Sequence, residues 1–238
     1  TEMLALSRAA GLGPWTLAGD ECAQLAILDE MGRHGEALEQ SLALLSRVES
    51  LDLPSRTGEL VSPWSVREKV LNTAYAAAVG LREWEAALQL NKWLGMSHEQ
   101  RGAAAHEHAR LRLNDCTPLV ELGRPDEAEA VLVECQRVFE RHDDIQLLGA
   151  VLVTRAELAD DRDDPDAAVE LAKAALRYQY ARPRISDLVI GHRRLGDYLA
   201  GAGNGRDAVA HQLAATLLTK ASTRPDGNTI VQLADLRD

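Results

Sequence analysis

The chain has 238 residues and a formal net charge of −11 at pH 7. This acidic surplus argues against direct, nonspecific nucleic-acid binding, because the phosphate backbone requires a basic face. Hydrophobic residues make up 46% of the chain and aromatic residues only 4%, a balance that favours closely packed helices over a sheet rich in β-branched and aromatic side chains.

The N-terminal stretch predicts a short apolar helix over residues 3–10, which Gly11 and Pro14 end. We interpret residues 1–13 as the tail of a preceding repeat. The chain begins at Thr1 rather than at an initiator methionine, so we expect it to be a piece of a longer protein.

Five helical units follow, each expected to hold a pair of helices. They span about 16–52, 64–97, 98–142, 145–181 and 184–222. The Pro, Ser and Gly content of residues 52–63 predicts a loop after the first unit, and Gly95 is predicted to end the second helix of unit two. Pro118 should bend the long first helix of unit three, residues 98–122, because it removes a hydrogen bond and clashes with the preceding turn. A final helix within residues 226–238 is predicted to cap the last unit.

A turn motif recurs along these units. In its clearest copy Gly123 ends one helix, Pro125 opens the next, and Ala128 follows on the face that meets the preceding helix. Weaker copies place an alanine at residues 37, 87, 168 and 208, so that the spacings are 50, 41, 40 and 40 residues. A second small residue follows seven positions later at Cys135, Ala175 and Ala215. A fixed period with two helices per unit predicts an α-solenoid, in which small residues let paired helices approach closely.

The repeat resembles the tetratricopeptide repeat (TPR) family. Counting each anchor alanine as position 20 of a unit, that family has apolar or small residues at positions 4, 7, 8 and 11. Unit two matches them with Leu71, Ala74, Tyr75 and Ala78. The units are longer than the usual repeat of about 34 residues and are similar to the long variant of bacterial multidomain regulators and kinesin light chains. The resemblance implies an all-α fold, a right-handed α-solenoid of antiparallel helix pairs, forming a single repeat domain over residues 1–238.

The resemblance also implies a binding surface. In this family the first helix of each unit lines a concave groove. The corresponding residues here are Lys69, Asn72, Thr73, Arg110, Leu113, Asn114, Thr117, Val153, Glu157, Arg193, Arg194 and Asp197. Asparagine amides in such a groove can pair with the N–H and C=O groups of an extended peptide. Plain solvation of each side chain is the alternative, and the mixture of charges argues against a partner of a single charge.

One subclass of the family binds chaperone tails through a clamp of five lysine, asparagine and arginine positions. Only Asn114 matches that clamp, because the corresponding positions elsewhere hold residues such as Ala76, Ala150 and Thr154. The chain is therefore not expected to be a chaperone adaptor.

Three other stretches invite a chemical interpretation and have a simpler one. The glycines of residues 201–205 follow a predicted helix rather than a strand, so they predict a turn and not a phosphate loop. The acidic run 160–166 would place Pro165 and Ala172 at calcium-ligand positions, and helix capping by Asp164 explains it better. The histidines His98, His106 and His108 lie on one stretch, but the last two point about 200° apart on a helix and cannot easily share a metal.

The three cysteines, Cys22, Cys116 and Cys135, are odd in number and form no C-x-x-C pair. Buried thiols in a reducing cytoplasm are the natural interpretation. No apolar run approaches the roughly 20 residues of a membrane span, and no signal peptide opens the chain. We therefore expect a cytoplasmic protein that does not bind a membrane.

Two functions remain open. The first is a scaffold module that holds a protein or peptide in its groove, within a larger bacterial regulatory protein. The second is a sensor arm for a small ligand or signalling peptide, attached to an ATPase or transcription regulator. No catalytic motif is present, so we expect no enzyme, no cofactor and no metal. The sequence does not identify the partner, the oligomeric state or whether Pro118 acts as a hinge.

Overall fold

The computed structural model describes residues 2–51 and 60–222, and every regular element in these ranges is helical. The helices are α1 Glu2–Ala9, α2 Pro14–Glu30, α3 His34–Glu49, α4 Pro63–Gly80, α5 Trp84–Gln100, α6 Ala105–Arg112, α7 Cys116–Glu121, α8 Pro125–Arg141, α9 Ile145–Asp161, α10 Pro165–Ala181, α11 Ile185–Gly201 and α12 Gly205–Ser222. A 3₁₀ turn, Leu113–Asp115, joins α6 to α7. The predicted all-α class is confirmed.

The helices pack in consecutive antiparallel pairs, α2 with α3, α4 with α5, α9 with α10 and α11 with α12. Each pair is joined by three residues, and the middle one has a positive φ, as in Gly32 (77°), Arg82 (61°), Asp163 (59°) and Gly203 (78°). The residue after it donates its N–H to a carbonyl five positions earlier, for example Asn204 to Leu199 at 2.8 Å. This hydrogen-bond pattern is the Schellman motif that ends a helix, and it explains why the turn motif recurs in the sequence.

The anchor alanines occupy the contact between paired helices. Ala37, Ala87, Ala128 and Ala168 are 0% exposed and Ala208 is 6% exposed. The small residues seven positions later are also buried: Cys135, Ala175 and Ala215. The prediction that these positions are buried and take small side chains is confirmed.

The chain divides into two compact units, one up to Val131 and one from Leu132, with the boundary inside α8. We call them the N-terminal unit and the C-terminal unit. The core of the first includes Trp15, Leu44 and Leu71, together with Leu90 and Leu94. The core of the second is built by Ala156, Ala168, Leu176, Leu188, Leu195 and Tyr198. The division into one repeat domain over residues 1–238 stays a prediction.

The predicted end of a helix at Gly95 is wrong. Helix α5 continues to Gln100 and ends in the turn around Gly102, which has a φ of 71°. The long helix 98–122 is therefore also wrong at its start, since α6 begins at Ala105. Glycine within a helix costs only about 1 kcal/mol relative to alanine. A Cβ at position 95 would lie 3.8 Å from a Leu111 methyl group, an ordinary van der Waals contact, so neither the backbone nor the packing ends the helix here.

Pro118 interrupts the first helix of unit three, as predicted, and the interruption falls one turn before it at the 3₁₀ turn. Proline has no N–H to donate to the carbonyl of Asn114. The hydroxyl of Tyr75 donates to that carbonyl instead, at 2.6 Å. The carbonyl of Leu111 likewise accepts from the buried amide of Asn91, at 3.1 Å. Two side chains from α4 and α5 thus satisfy the backbone of the broken helix.

Several other predictions from the sequence can be compared with the structure. Residues 202–204 form the turn between α11 and α12, and Asp164 caps α10 by accepting from the N–H of Ala167 at 3.1 Å. All three cysteines are buried. No helix within 2–51 or 60–222 has the length and apolar composition needed to cross a bilayer. The loop at 52–59 and the capping helix at 226–238 lie outside the described residues.

Candidate functional site

A cavity of about 860 Å³ lies in the N-terminal unit between α4, the end of α5 and α6. It brings together four residues that the sequence assigned to the groove. Lys69 and Asn72 come from α4, Arg110 from α6 and Asn114 from the 3₁₀ turn. A fifth, Thr73, is only 8% exposed and its hydroxyl lies 3.5 Å from the Cys22 thiol. The Thr73 side chain is therefore in the protein interior and does not line the cavity.

The helix period explains which side chains of α4 reach the cavity. Lys69 and Asn72 are one turn apart and exposed, whereas Val70, Leu71 and Ala74 face the core and are buried. On α6 Arg110 is exposed while its neighbours Ala109 and Leu111 are buried. Burial of the apolar stripes thus fixes the polar side chains on the cavity wall.

An ion cluster forms one side of the cavity. Arg101 at the end of α5 donates to the Glu68 carboxylate at 2.7 Å and also to that of Glu107. Glu68 accepts a further bond from the Ser97 hydroxyl at 3.3 Å. The hydrogen bonds from Arg101 and from the backbone of Ala104 lower the pKa of Glu107. Arg101 therefore joins α4, α5 and α6, and both carboxylates are occupied within the protein.

His98 completes this side of the cavity. Its Nε2 lies 3.6 Å from Glu68 and its ring meets that of His108 edge to face, with centroids 5.7 Å apart. Burial is the main cause that lowers the pKa of His98, so the ring is neutral at pH 7. Its Nδ1 is buried and has no hydrogen-bond partner. The sequence does not predict this cluster, because Glu68 and Arg101 occupy positions that the family pattern does not use.

Asn114 is held in place by the amide network below the cavity. Its side-chain amide donates to the Asn91 side chain at 3.4 Å, and Asn91 in turn donates to Asp115 at 2.7 Å. Burial raises the pKa of Asp115, and burial also raises the pKa of Tyr75 to about 12. The Tyr75 hydroxyl therefore stays protonated and keeps its bond to the Asn114 carbonyl.

A second cavity, of about 620 Å³, lies in the C-terminal unit between α9, α10 and α11. Glu157 and Arg194 line it and form an ion pair with each other, and Val153 lies beside them. Its wall is more apolar, with Ile190 47% exposed. The predicted residues Arg193 and Asp197 are not part of this cavity. The Gln212 amide of α12 donates to Asp197 at 2.7 Å and to the Arg193 carbonyl at 3.1 Å.

Solved structures share this architecture. BtubC (BKLC) from P. vanneervenii superposes with a TM-score of 0.73, at 16% identity over 94% of this chain and 90% of that one. The TPR-like repeats of a putative kinesin light chain from Podosopora anserina give a TM-score of 0.64, at 12% identity over 86% and 96%. The chain has a TPR-like repeat fold. The apo form of RapI shares the TPR-like architecture with a TM-score of 0.54, at 13% identity over 91% and 70%.

These identities establish the TPR-like fold and nothing more specific. No family model matches the sequence, and no curated protein is similar to it in sequence.

Proposed function

We propose that this protein is a binding module that holds a protein or peptide against the first helices of its TPR-like units. The observation that carries the proposal is the cavity of about 860 Å³ on which Lys69, Asn72, Arg110 and Asn114 converge. The sequence predicts all four as groove residues, because the corresponding positions line the concave groove in the family that the repeat resembles.

The chemistry of the cavity suits equilibrium binding. The exposed amide of Asn72 can pair with both the N–H and the C=O of an extended peptide backbone. The acids Glu68 and Glu107 are engaged by Arg101, which leaves no carboxylate of this cluster poised as a general base. We accordingly propose a role without catalysis.

Removal of the two amides tests the proposal. Full-length protein and an Asn72→Ala, Asn114→Ala double variant are used as baits in an extract of the source organism, and each recovered protein is quantified by mass spectrometry. We expect the variant to lose a defined set of partners that the wild type recovers. A Gln40→Ala, Gln89→Ala variant, which removes two exposed amides from α3 and α5, is the matched control. Equal recovery by all three baits would contradict the proposal.

A sensor arm for a small ligand is the second candidate. A volume of about 860 Å³ falls in the range of small-molecule sites, about 300–1,000 Å³. A thermal-shift screen of metabolites and short peptides separates the candidates. A metabolite at about 100 times its Kd adds about 2.7 kcal/mol of stability. A metabolite hit that the Asn72→Ala, Asn114→Ala variant abolishes would favour the sensor.

The wider context is also proposed. The spacing of about 40 residues resembles the long repeats of bacterial regulatory proteins, so we place this chain in such a protein, in the cytoplasm and in signalling. We further propose one repeat domain over residues 1–238, in which residues 1–13 belong to a preceding repeat and residues 226–238 cap the last one.

A further inference from the structure

The charges around the N-terminal cavity do not cancel once their contacts are traced. Five charged side chains line it, three of them cationic. Arg101 contacts both carboxylates, Glu68 and Glu107. Both anions and one cation of this cavity therefore form a cluster among themselves. The other two cations are separate from that cluster.

Those two cations, Lys69 and Arg110, make no ion pair and no hydrogen bond with any residue in the ranges 2–51 and 60–222. They extend from different helices, α4 and α6, into the same cavity, and both side chains are exposed. An unpaired cation on a concave wall attracts anions more strongly than one on a convex surface, because the low-dielectric walls focus its field. The cavity thus presents two available positive charges in a chain whose net charge is −11.

The remaining polar groups suit a peptide. The Asn72 amide lies one helical turn from Lys69 on α4, so a ligand that reaches the ammonium group also reaches a group that pairs with peptide backbone. Trp64, which is 39% exposed, lines the same cavity and offers an aromatic surface. His98 is neutral and adds no charge of its own.

We infer that the cavity of the N-terminal unit selects an acidic segment of a partner peptide, with carboxylates at Lys69 and Arg110 and backbone at Asn72. The inference rests on the proposed function and adds the chemical class of the partner. Arg101 is a positioning residue here, because its charge offsets one of the two negative charges of Glu68 and Glu107 and so reduces the repulsion that an acidic peptide would meet.

Fluorescence anisotropy with two labelled probe peptides tests this inference. The probes are N-acetylated hexaglutamate and hexaglutamine, both C-terminally amidated and of equal length. We expect full-length protein to bind hexaglutamate more tightly. Each of the variants Lys69→Gln and Arg110→Gln should weaken it about threefold to fivefold, the upper part of the range for partly exposed ion pairs. Lys92→Gln, which removes an exposed cation of α5 outside this cavity, is the matched control and should change nothing.

A separate set of variants tests the positioning role of Arg101. Arg101→Gln should weaken hexaglutamate binding because it leaves Glu68 and Glu107 uncompensated. Adding Glu68→Gln and Glu107→Gln to that variant should restore the affinity, which a loss of direct contact or of folding would not allow. Circular dichroism melts verify that each variant is folded.

Three outcomes would overturn the inference: equal affinity for the two probes, an equal loss in Lys92→Gln, or displacement of hexaglutamate by an equimolar concentration of inorganic phosphate, which would indicate a phosphate site. Failure of the proposed function is distinguishable. If the Asn72→Ala, Asn114→Ala bait loses its partners while the two probes bind equally, the binding module stands and only its acidic preference is lost. If hexaglutamate is preferred but partner recovery is unchanged, the module itself is wrong.

Discussion

The two units of this protein place their polar groups differently. In the N-terminal unit the ion cluster of Glu68 and Arg101 and the free cation Lys69 lie on a cavity wall, beside a helix that Pro118 breaks. In the described part of the C-terminal unit the helices α9 to α12 have 17 or 18 residues each, and a polar cluster lies between α10, α11 and α12. Both units therefore carry an ion pair on a cavity wall, and the C-terminal unit differs by an internal histidine contact between its helices.

The internal contact of the C-terminal unit joins three helices through ring nitrogens. Tyr180 of α10 lies 2.6 Å from the Nε2 of His192 on α11, and the Nδ1 of His192 lies 2.8 Å from the Nδ1 of His211 on α12. Two sets of neutral tautomers satisfy both bonds: Tyr180 donates to His192, which donates to His211, or both bonds run in the reverse direction. A second N–H between the two rings would leave two donors facing each other.

We therefore expect acid to destabilise the C-terminal unit more than the N-terminal unit. Burial is the main cause that lowers the pKa of His192 from 6.5 to about 4, and the nearby His211 lowers it further. Burial is also the main cause that lowers the pKa of His211; Asp207 raises that pKa and Lys173 lowers it. Because the pKa of His192 is lower in the folded state than in the unfolded state, its contribution to the stability is fully present above pH 6.5. This contribution is lost as the pH falls towards 4. The gap between 6.5 and about 4 corresponds to about 3 kcal/mol for His192.

Amide hydrogen exchange resolves the two units in this experiment. Between pH 7.5 and pH 5 the free energy of opening should fall more for α10–α12 than for α4 and α5. In the N-terminal unit burial lowers the pKa of His98 but raises that of Asp115, and these two groups act in opposite directions on acidification. A His192→Gln, His211→Gln variant should have a flatter pH dependence. An equal fall in both units would contradict the prediction.

Overpacking at the anchor alanines should affect both units alike. Ala87→Leu in the first and Ala168→Leu in the second add three carbon atoms where the wild-type residue is 0% exposed. Each should lower the free energy of unfolding by about 1–3 kcal/mol in a urea titration. The controls Ala86→Leu and Ala210→Leu lie on exposed positions of α5 and α12. Similar losses in variants and controls would show that helix contact is not what requires alanine.

The hydrogen bond from Tyr75 at the break before Pro118 can be tested in the N-terminal unit. Tyr75→Phe removes the donor to the Asn114 carbonyl and should cost about 1 kcal/mol. Pro118→Ala returns a backbone N–H that can take over that carbonyl, so Tyr75→Phe should cost less in the Pro118→Ala background. A double-mutant cycle measures this coupling. Additive effects would mean that the hydroxyl does not replace the missing proline donor.

The sequence predicts what depends on neighbours along the chain. The turns, the anchor alanines and the cap at Asp164 are local features, since each needs only a φ, a small side chain or one acceptor within a few residues. The site is less accessible to such reasoning. Burial of Thr73 against Cys22 and the engagement of Asp197 by Gln212 depend on side chains that are 51 and 15 residues away. Gly95 does not end its helix, because a glycine within a helix lowers stability only slightly and α5 continues to Gln100.

The smallest expected effects concern the turn that both units share. Gly32→Ala and Gly203→Ala place a side chain at φ values of 77° and 78°, and no atom lies within 4 Å of either new Cβ. Each should therefore lose about 1 kcal/mol through backbone conformation alone. Gly35→Ala, in the first turn of α3, also meets nothing within 4 Å but has no positive φ. It should gain about 0.5 kcal/mol from helix propensity. Thermal melts of the three variants measure the contrast, and a loss in Gly35→Ala as large as in Gly32→Ala would mean that crowding, not φ, selects glycine in these turns.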